Sequence, residues 1–371
     1  MHVLHIAPID FSGHSGLSTV IPEIIEHQNK RNNFSATLLL SKKVDKEVIK
    51  KQENSKHFRI LDYSYAKEFQ LNRLLSILDS IDLVIFHSTY IPLHYKISKI
   101  LRENNIPYIL VPHGGMTKYA HNRKRIKKKI GDYLFFNKLI RYSERIQYLS
   151  EEEAKNSSFW DKKYFVVPNA ISQNSESTSL DTEAKHPFIF TSISRLDIAN
   201  KGLDIQIEAI SKIKGSFLEH NAQMHIYGPS INGSRKNLDD MVKELDLGNI
   251  VFIHDPVYGE EKNKVLKVTS VFTLLSKSEG QSMGVLEALS MGIPCLITPG
   301  VNLNAVIKRY KFGWLVQDNS DSVAKTMKNI LENKVLAPSL GINGIEFVDR
   351  FHNWDQSTNL AIENYNEIID R

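Results

Sequence analysis

The 371-residue chain predicts an α/β protein built from two doubly wound parallel-sheet domains. Three observations carry that expectation. Short β-branched runs alternate with longer amphipathic stretches, the pattern of strands joined by covering helices. The length exceeds one ordinary core and suits two domains of roughly 150–200 residues each. The alternation also breaks once, over residues 171–186, and then restarts.

In the first half the runs His2–Ala7, Ala36–Leu40, Leu83–Phe86, Tyr108–Val111, Gln147–Leu149 and Tyr164–Val167 read as strands. Helical patterns at Ser18–Lys30 and Leu93–Asn104 fall between them. The break, Ile-Ser-Gln-Asn-Ser-Glu-Ser-Thr-Ser-Leu-Asp-Thr-Glu-Ala-Lys-His, is polar and serine-rich and reads as a linker. Strands resume at Phe188–Ser192, Met224–Tyr227, Val251–Ile253, Val271–Leu275, Cys295–Thr298 and Gly313–Val316. The expected division is a first domain over 1–170, a linker over 171–186 and a second domain over 187–353, with a cleft between the domains.

Composition is that of a soluble globular protein, 42% hydrophobic and 24% charged. The start, Met1 to Pro8, lacks a charged n-region followed by an apolar stretch, so no signal peptide is expected. No run of about 18 apolar residues suggests a membrane span. The single Cys295 lies in an apolar run and reads as a buried strand thiol. The expected location is cytoplasmic. Charge is uneven: residues 1–170 hold 27 Lys and Arg against 17 Asp and Glu, whereas 171–371 hold 20 against 25. An anionic partner is therefore expected on the first half.

The segment Val271 to Thr298 reads strand, glycine-containing loop, helix, turn, strand. Ligands of open α/β sheets bind beyond the carboxyl ends of strands. There the backbone N–H groups around Gly280 and the start of the next helix suit phosphate or sugar oxygens. Glu279 precedes that helix and Glu287 lies one to two turns inside it, so both can accept hydrogen bonds from one ligand's hydroxyls. A surface loop with a capping glutamate fits the same spacing. After the strand Phe188–Ser192, Arg195 and Lys201 bracket a short loop and Gly202 opens a helical pattern over Leu203–Ile213. Two such cations would neutralise a diphosphate, work that a metal ion does in some enzymes. Two solvated surface cations would read the same way. In the first half, Val111-Pro-His113-Gly-Gly-Met116 puts a histidine at a strand end before a glycine pair, and Gly13-His-Ser-Gly16 links the first strand to the first helix.

Taken together, these pieces resemble the retaining family-4 glycosyltransferases of the GT-B fold, over residues 1 to about 320. The family's Glu, seven residues, Glu pattern appears as Glu279…Glu287, continued by Ala288 and Pro294. Arg195 and Lys201 match its donor-diphosphate pair, His113 its active-site histidine, Gly16 its first glycine loop, and Val167-Pro-Asn169 the segment before its linker. The resemblance implies a metal-independent, cofactor-free sugar transferase using a nucleotide-sugar donor, most commonly a UDP-sugar. Glu287 would hold the ribose and Glu279 the donor sugar's hydroxyls, in a loop that includes Gly280, Gln281 and Ser282. Arg195 and Lys201 would stabilise the departing nucleoside diphosphate, and His113 would touch the sugar near the reacting carbon. Transfer would retain configuration by front-face attack. A terminal helix over 354–371 would return to the first domain. Three departures leave base and sugar open: a single Gly16, His254-Asp255 where relatives carry a glycine, and Gln281-Ser-Met-Gly284 in place of the commoner Phe-Gly beginning.

Residues 118–136 hold six cations in the seven positions 123–129, followed by apolar and aromatic residues. Such a basic amphipathic stretch can dock on an anionic membrane, at roughly 1 kcal/mol per cation, which suits a lipid-linked or glycan acceptor at the inner face of the cell membrane. A solvated helix face is the alternative. Base-reading motifs are missing, so nucleic acid is not an expected partner. Dehydrogenase and P-loop patterns fail: residues 13–16 give only Gly-x-x-Gly, and Gly228 to Gly233 is followed by no lysine. No Asp-x-Asp occurs. A GT-B nucleotide-sugar epimerase and a non-catalytic partner subunit are the rival readings.

Overall fold

The computed structural model describes residues 1–11, 16–76, 80–123, 125–172 and 187–370. The expected linker therefore lies outside the described residues from 173 to 186, as do residues 12–15 of the first loop and Lys124 of the basic stretch. The chain forms two compact units, Met1–Asn169 with Trp354–Arg371, and Ala170–Asn353.

Unit 1 holds a seven-stranded parallel sheet in the order β3-β2-β1-β4-β5-β6-β7. Its strands are β1 (His2–Ala7), β2 (Ser35–Leu40), β3 (Ile60–Leu61), β4 (Leu83–His87), β5 (Tyr108–Val111), β6 (Ile146–Tyr148) and β7 (Tyr164–Val166). A sheet covered on both faces favours continuous apolar runs over alternation. Accordingly, every residue of β4 and β5 is buried. The two-residue edge strand β3 is too short to leave a period in the sequence, and it was not expected.

Order reverses between β1 and β4, so the loops leaving their carboxyl ends diverge and open a binding position. Register fixes what stands there. His5 of β1 pairs with Ile85 of β4, and His87 of β4 pairs with Val111 of β5. Side chains two residues apart on a strand share a face. His5, His87 and His113 therefore climb one face of the sheet, crossing one strand and advancing two residues at each step. The helix Trp354–Ile369 belongs to this unit: Trp354 stacks on His27 (centroids 4.5 Å apart), and the buried Tyr365 hydroxyl donates to Gln147 Oε1 at 3.0 Å.

Unit 2 holds a six-stranded parallel sheet in the order β10-β9-β8-β11-β12-β13. Its strands are β8 (Phe188–Ile193), β9 (Ala222–Tyr227), β10 (Val251–His254), β11 (Val271–Leu274), β12 (Cys295–Ile297) and β13 (Gly313–Leu315). Phe190, Leu203, Ile207, Phe217, Met224 and Leu296 form part of a fully buried core. Here the order reverses between β8 and β11. The two units share the α/β architecture expected from the sequence, each a doubly wound parallel sheet. Among the described residues, no helix is long and apolar enough to cross a membrane.

Candidate functional site

In unit 2 the loops leaving β8, β11 and β12 are tied together by their backbones. After β8, Asp197 caps the short helix Ile198–Lys201 by accepting from the Asn200 N–H. Gly202 ends that helix at φ 59°, and a Cβ there would lie 2.6 Å from the Leu275 carbonyl. Only glycine permits both the left-handed turn and the close approach. Lys277 N donates to Asn200 O at 2.8 Å, Glu279 N donates to Gly300 O at 2.8 Å, and Asn302 Nδ2 donates to Glu279 O at 2.6 Å.

This lacing sets Lys201 against Glu279 as an ion pair, with side chains only 11% and 16% exposed. At that exposure the pair is no surface salt bridge, and each ion depends on the other to offset its lost hydration. The glutamate's own N–H is spent on Gly300, which removes one donor from the loop's offer to a ligand. Gly280 is buried, and Gln281 Nε2 stands 3.5 Å from His352 Nδ1. The cap of the helix Met283–Ser290 is Ser282, whose hydroxyl accepts from Val285 N, so Glu279 is not a capping residue. Glu287 lies within that helix and is ion-paired with Lys262. Arg195 is exposed and, among the described residues, makes no ion pair. Thus Lys201 and Glu279 are brought together, while Glu287 has a cation of its own.

In unit 1, His113 follows β5 with φ 49° and Gly114 with φ 81°. Left-handed backbone at a non-glycine residue costs of order 1–3 kcal/mol and persists where the surroundings enforce it. Glu153 supplies part of that enforcement. Fully buried, it accepts from Gly114 N at 2.5 Å and Leu149 N at 2.8 Å. Burial pushes its carboxyl up to about 7, against the two backbone donors that favour the ionised form.

His113 Nε2 lies 2.9 Å from His87 Nδ1, and His87 Nε2 lies 2.9 Å from His5 Nδ1. His5 Nε2 meets Gln28 Oε1 at 2.8 Å. Desolvation lowers His113 to about 3 and His5 to about 4, and holds His87 well below the ordinary imidazole value. All three rings are therefore neutral near pH 7. Gly16, the first residue of the helix Gly16–Asn29, is exposed.

Sequence reasoning missed Lys262, Asn200 and Asn302, whose roles depend on how separate loops meet. It also missed His5, His87 and Gln28. The two histidines did leave a signal, a polar residue inside the apolar runs His2–Ala7 and Leu83–His87.

Residues 176–347, all within the range of unit 2, match the family model described as glycosyl transferases group 1. An uncharacterised glycosyltransferase of Methanocaldococcus jannaschii is 23% identical over 333 residues, 87% of this chain and 86% of that protein. Among solved structures, sucrose-phosphate synthase from Thermosynechococcus elongatus aligns over 100% of this chain and 99% of its own, with TM-score 0.77 and 15% identity. Anabaena HepE, solved in complex with UDP, aligns over 99% and 100% with TM-score 0.75 and 14% identity. The chain has the GT-B fold and is a glycosyltransferase.

Proposed function

We propose that this glycosyltransferase moves a sugar from a UDP-sugar to a glycan or lipid-linked acceptor, with retention and without a metal, in the manner of the family-4 enzymes. The observation that carries the reading is the low-exposure Lys201–Glu279 pair on the laced loops of β8 and β11. A nucleotide-sugar replaces both partners at once. Its diphosphate takes the Lys201 ammonium, and its sugar hydroxyls donate to the Glu279 carboxylate. The exposed Arg195 supplies the second cation for the diphosphate, and Glu287 accepts from the ribose hydroxyls. His113 meets the donor sugar near the reacting carbon. As the sugar–phosphate bond breaks, the departing diphosphate gains charge beside these cations. In front-face transfer a leaving-phosphate oxygen takes the acceptor's proton, so no carboxylate nucleophile is needed. That HepE was solved in complex with UDP favours uridine as the base.

Thermal-shift titration with a panel of UDP-, GDP- and ADP-sugars, followed by product analysis with and without EDTA, tests this. UDP-sugars should raise the melting temperature and turnover should survive the chelator. No shift with any UDP-sugar, or activity lost to EDTA and restored by a divalent ion, sinks the reading.

The acceptor side rests on residues 118–136. Ile126, Ile130, Tyr133 and Leu134 are 78%, 54%, 83% and 57% exposed, and Arg125, Lys127 and Lys129 beside them are exposed too. A solvated helix would turn its apolar residues inward, and these face out. Apolar side chains among cations fit the headgroup boundary of an anionic leaflet, at the inner face of the cell membrane. Flotation with phosphatidylglycerol vesicles at low salt should recover the protein, and Ile130→Asp should release it. Absence of binding at low salt removes the membrane from the proposal.

A further inference from the structure

We propose that Gln28, His5 and His87 form a positioning relay that fixes His113 as its Nε2–H tautomer and leaves Nδ1 a hydrogen-bond acceptor. The proposal rests on the reading of His113 as a donor-sugar contact and adds what kind of contact it makes. His113 would accept a hydrogen bond from a sugar hydroxyl and would reject a group that can only accept.

Every link of the relay constrains the next. Each neutral imidazole carries one N–H and one lone pair. His5 Nε2 faces an amide oxygen, which can only accept, so His5 carries its proton there and turns a lone pair at Nδ1 toward His87. His87 must then donate from Nε2, leaving its Nδ1 as the acceptor for His113. His113 spends its single proton on that bond. Opposite protonation at any one link would set two lone pairs or two protons against each other, across contacts of 2.8–2.9 Å in surroundings where His5 and His87 are 0% and 2% exposed. In such a site an unmade hydrogen bond costs far more than at a surface.

The direction of the relay comes from Gln28. The side chain of Gln28 acts on the Tyr365 hydroxyl, lowering its pKa against the stronger effect of burial. That hydroxyl already donates to Gln147 Oε1. It therefore offers only lone pairs to Gln28, which suit the amide NH2, a group with no other hydrogen-bond partner among the described residues. The oxygen is left for His5. Geometry keeps the three rings in step, with successive centroids 5.2 Å apart and interplanar angles of 16° and 27°. This is the staircase set by the β1–β4–β5 register.

Long-range imidazole 1H–15N correlation spectra of the 15N-histidine-labelled full chain read tautomers directly. At pH 7.5, His5, His87 and His113 should each show a protonated Nε2 and a bare Nδ1. A protonated Nδ1 at any of the three, or a tautomer average at His113, overturns the relay. Two variants separate positioning from packing. Asparagine puts an acceptor oxygen where His87 Nδ1 stands, whereas leucine does not. His87→Leu should give His113 a mixed tautomer and raise donor KM about five- to tenfold, the scale of one hydrogen bond, with a smaller change in kcat. His87→Asn should recover the His113 Nε2–H signal and most of the KM. Equal loss in both variants would mean that His87 only fills space. If His87→Leu fails to fold, the native spectra and the asparagine variant still decide. An unchanged donor KM in His113→Ala would instead remove the sugar contact, and would leave the tautomer measurement untouched.

Discussion

The two units carry parallel sheets of the same architecture and set their candidate residues at the same place, the carboxyl ends of the central strands. They fill that place with opposite electrostatics. Unit 2 holds ions in pairs, Lys201 with Glu279 and Lys262 with Glu287. Unit 1 holds a chain of imidazoles kept neutral by burial. Bulk charge runs the other way, since residues 1–170 are the cation-rich half and 171–371 the anion-rich half. The expectation that an anionic partner belongs to the basic half thus divides in two. The cations suited to a diphosphate stand in the acidic half, while six of the basic half's excess charges sit together at 123–129. Net charge reports long-range attraction, and a site is set by the few groups that loops bring together.

The largest test of this contrast is to remove an ion from unit 2. Lys201→Ala should lower kcat by about 10²–10³, the scale for losing one preorganised charge-stabilising group. It should also destabilise unit 2 by about 3 kcal/mol, because Glu279, only 16% exposed, is left without its cation. Adding Glu279→Gln removes that orphan charge. The double variant should therefore recover stability in a denaturant melt while turnover stays low. Recovery of both would reduce the pair to scaffold, and an unchanged kcat in the single variant would remove the diphosphate role.

Acid should strike the neutral chain first. A histidine whose folded pKa lies below its unfolded value contributes stability fully present above pH 6.5, and this is lost as pH falls toward the folded value. His5 at about 4 and His94 and His113 at about 3 all have this sign. At 1.36 kcal/mol per unit, His5 alone accounts for roughly 3 kcal/mol by pH 4. Glu153 opposes them. Its carboxyl is raised to about 7, so its contribution is full below 4.5 and is lost as pH rises to 7. That compensation is exhausted below pH 4.5, where the loss should steepen. Hydrogen exchange at pH 7.5, 5 and 4 should show unit 1 opening before unit 2. Simultaneous opening would erase the contrast.

Within unit 2, the two acidic side chains should separate by function. Glu279→Gln should weaken donor use about tenfold while leaving UDP affinity near native, whereas Glu287→Gln should weaken UDP and donor together, on the scale of one charge-assisted hydrogen bond each. Isothermal titration with UDP and kinetics with the donor check this. Equal losses of UDP and donor in Glu279→Gln would contradict its assignment to the sugar.

How much of this was legible depended on whether the information lay along the chain or across it. Twelve of the strands announced themselves as apolar runs, and the motif around Glu279 and Glu287 carried its strand–loop–helix setting with it. Ion partners did not. Lys262 and Glu287 lie on different helices, and nothing local to either names the other. His5, His87 and His113 are 82 and 26 residues apart, and only the β1–β4–β5 register makes them neighbours. The basic stretch was legible in composition but not in orientation, for the sequence could not say that Ile126 and Tyr133 face outward.

The smallest expected effect separates a buried imidazole that belongs to the chain from one that does not. His94, on the helix Pro92–Glu103, is 1% exposed and tilted against Phe86 at 4.8 Å, and among the described residues neither ring nitrogen has a hydrogen-bond partner. In unit 2, Gln206 is 0% exposed, with both its amide oxygen and nitrogen likewise unpartnered among the described residues. A buried polar atom without a partner costs about 1–3 kcal/mol, and an apolar replacement of similar size regains part of that. His94→Leu and Gln206→Leu should each stabilise their unit by about 1 kcal/mol in a denaturant melt. They should differ in acid. Burial lowers His94 to about 3, so His94→Leu removes one proton-linked loss and flattens unit 1 between pH 6.5 and 4, whereas Gln206→Leu carries no proton and leaves the slope of unit 2 unchanged. A destabilised His94→Leu would mean that the ring nitrogens have work in unit 1 after all, and His94 would join the relay it borders.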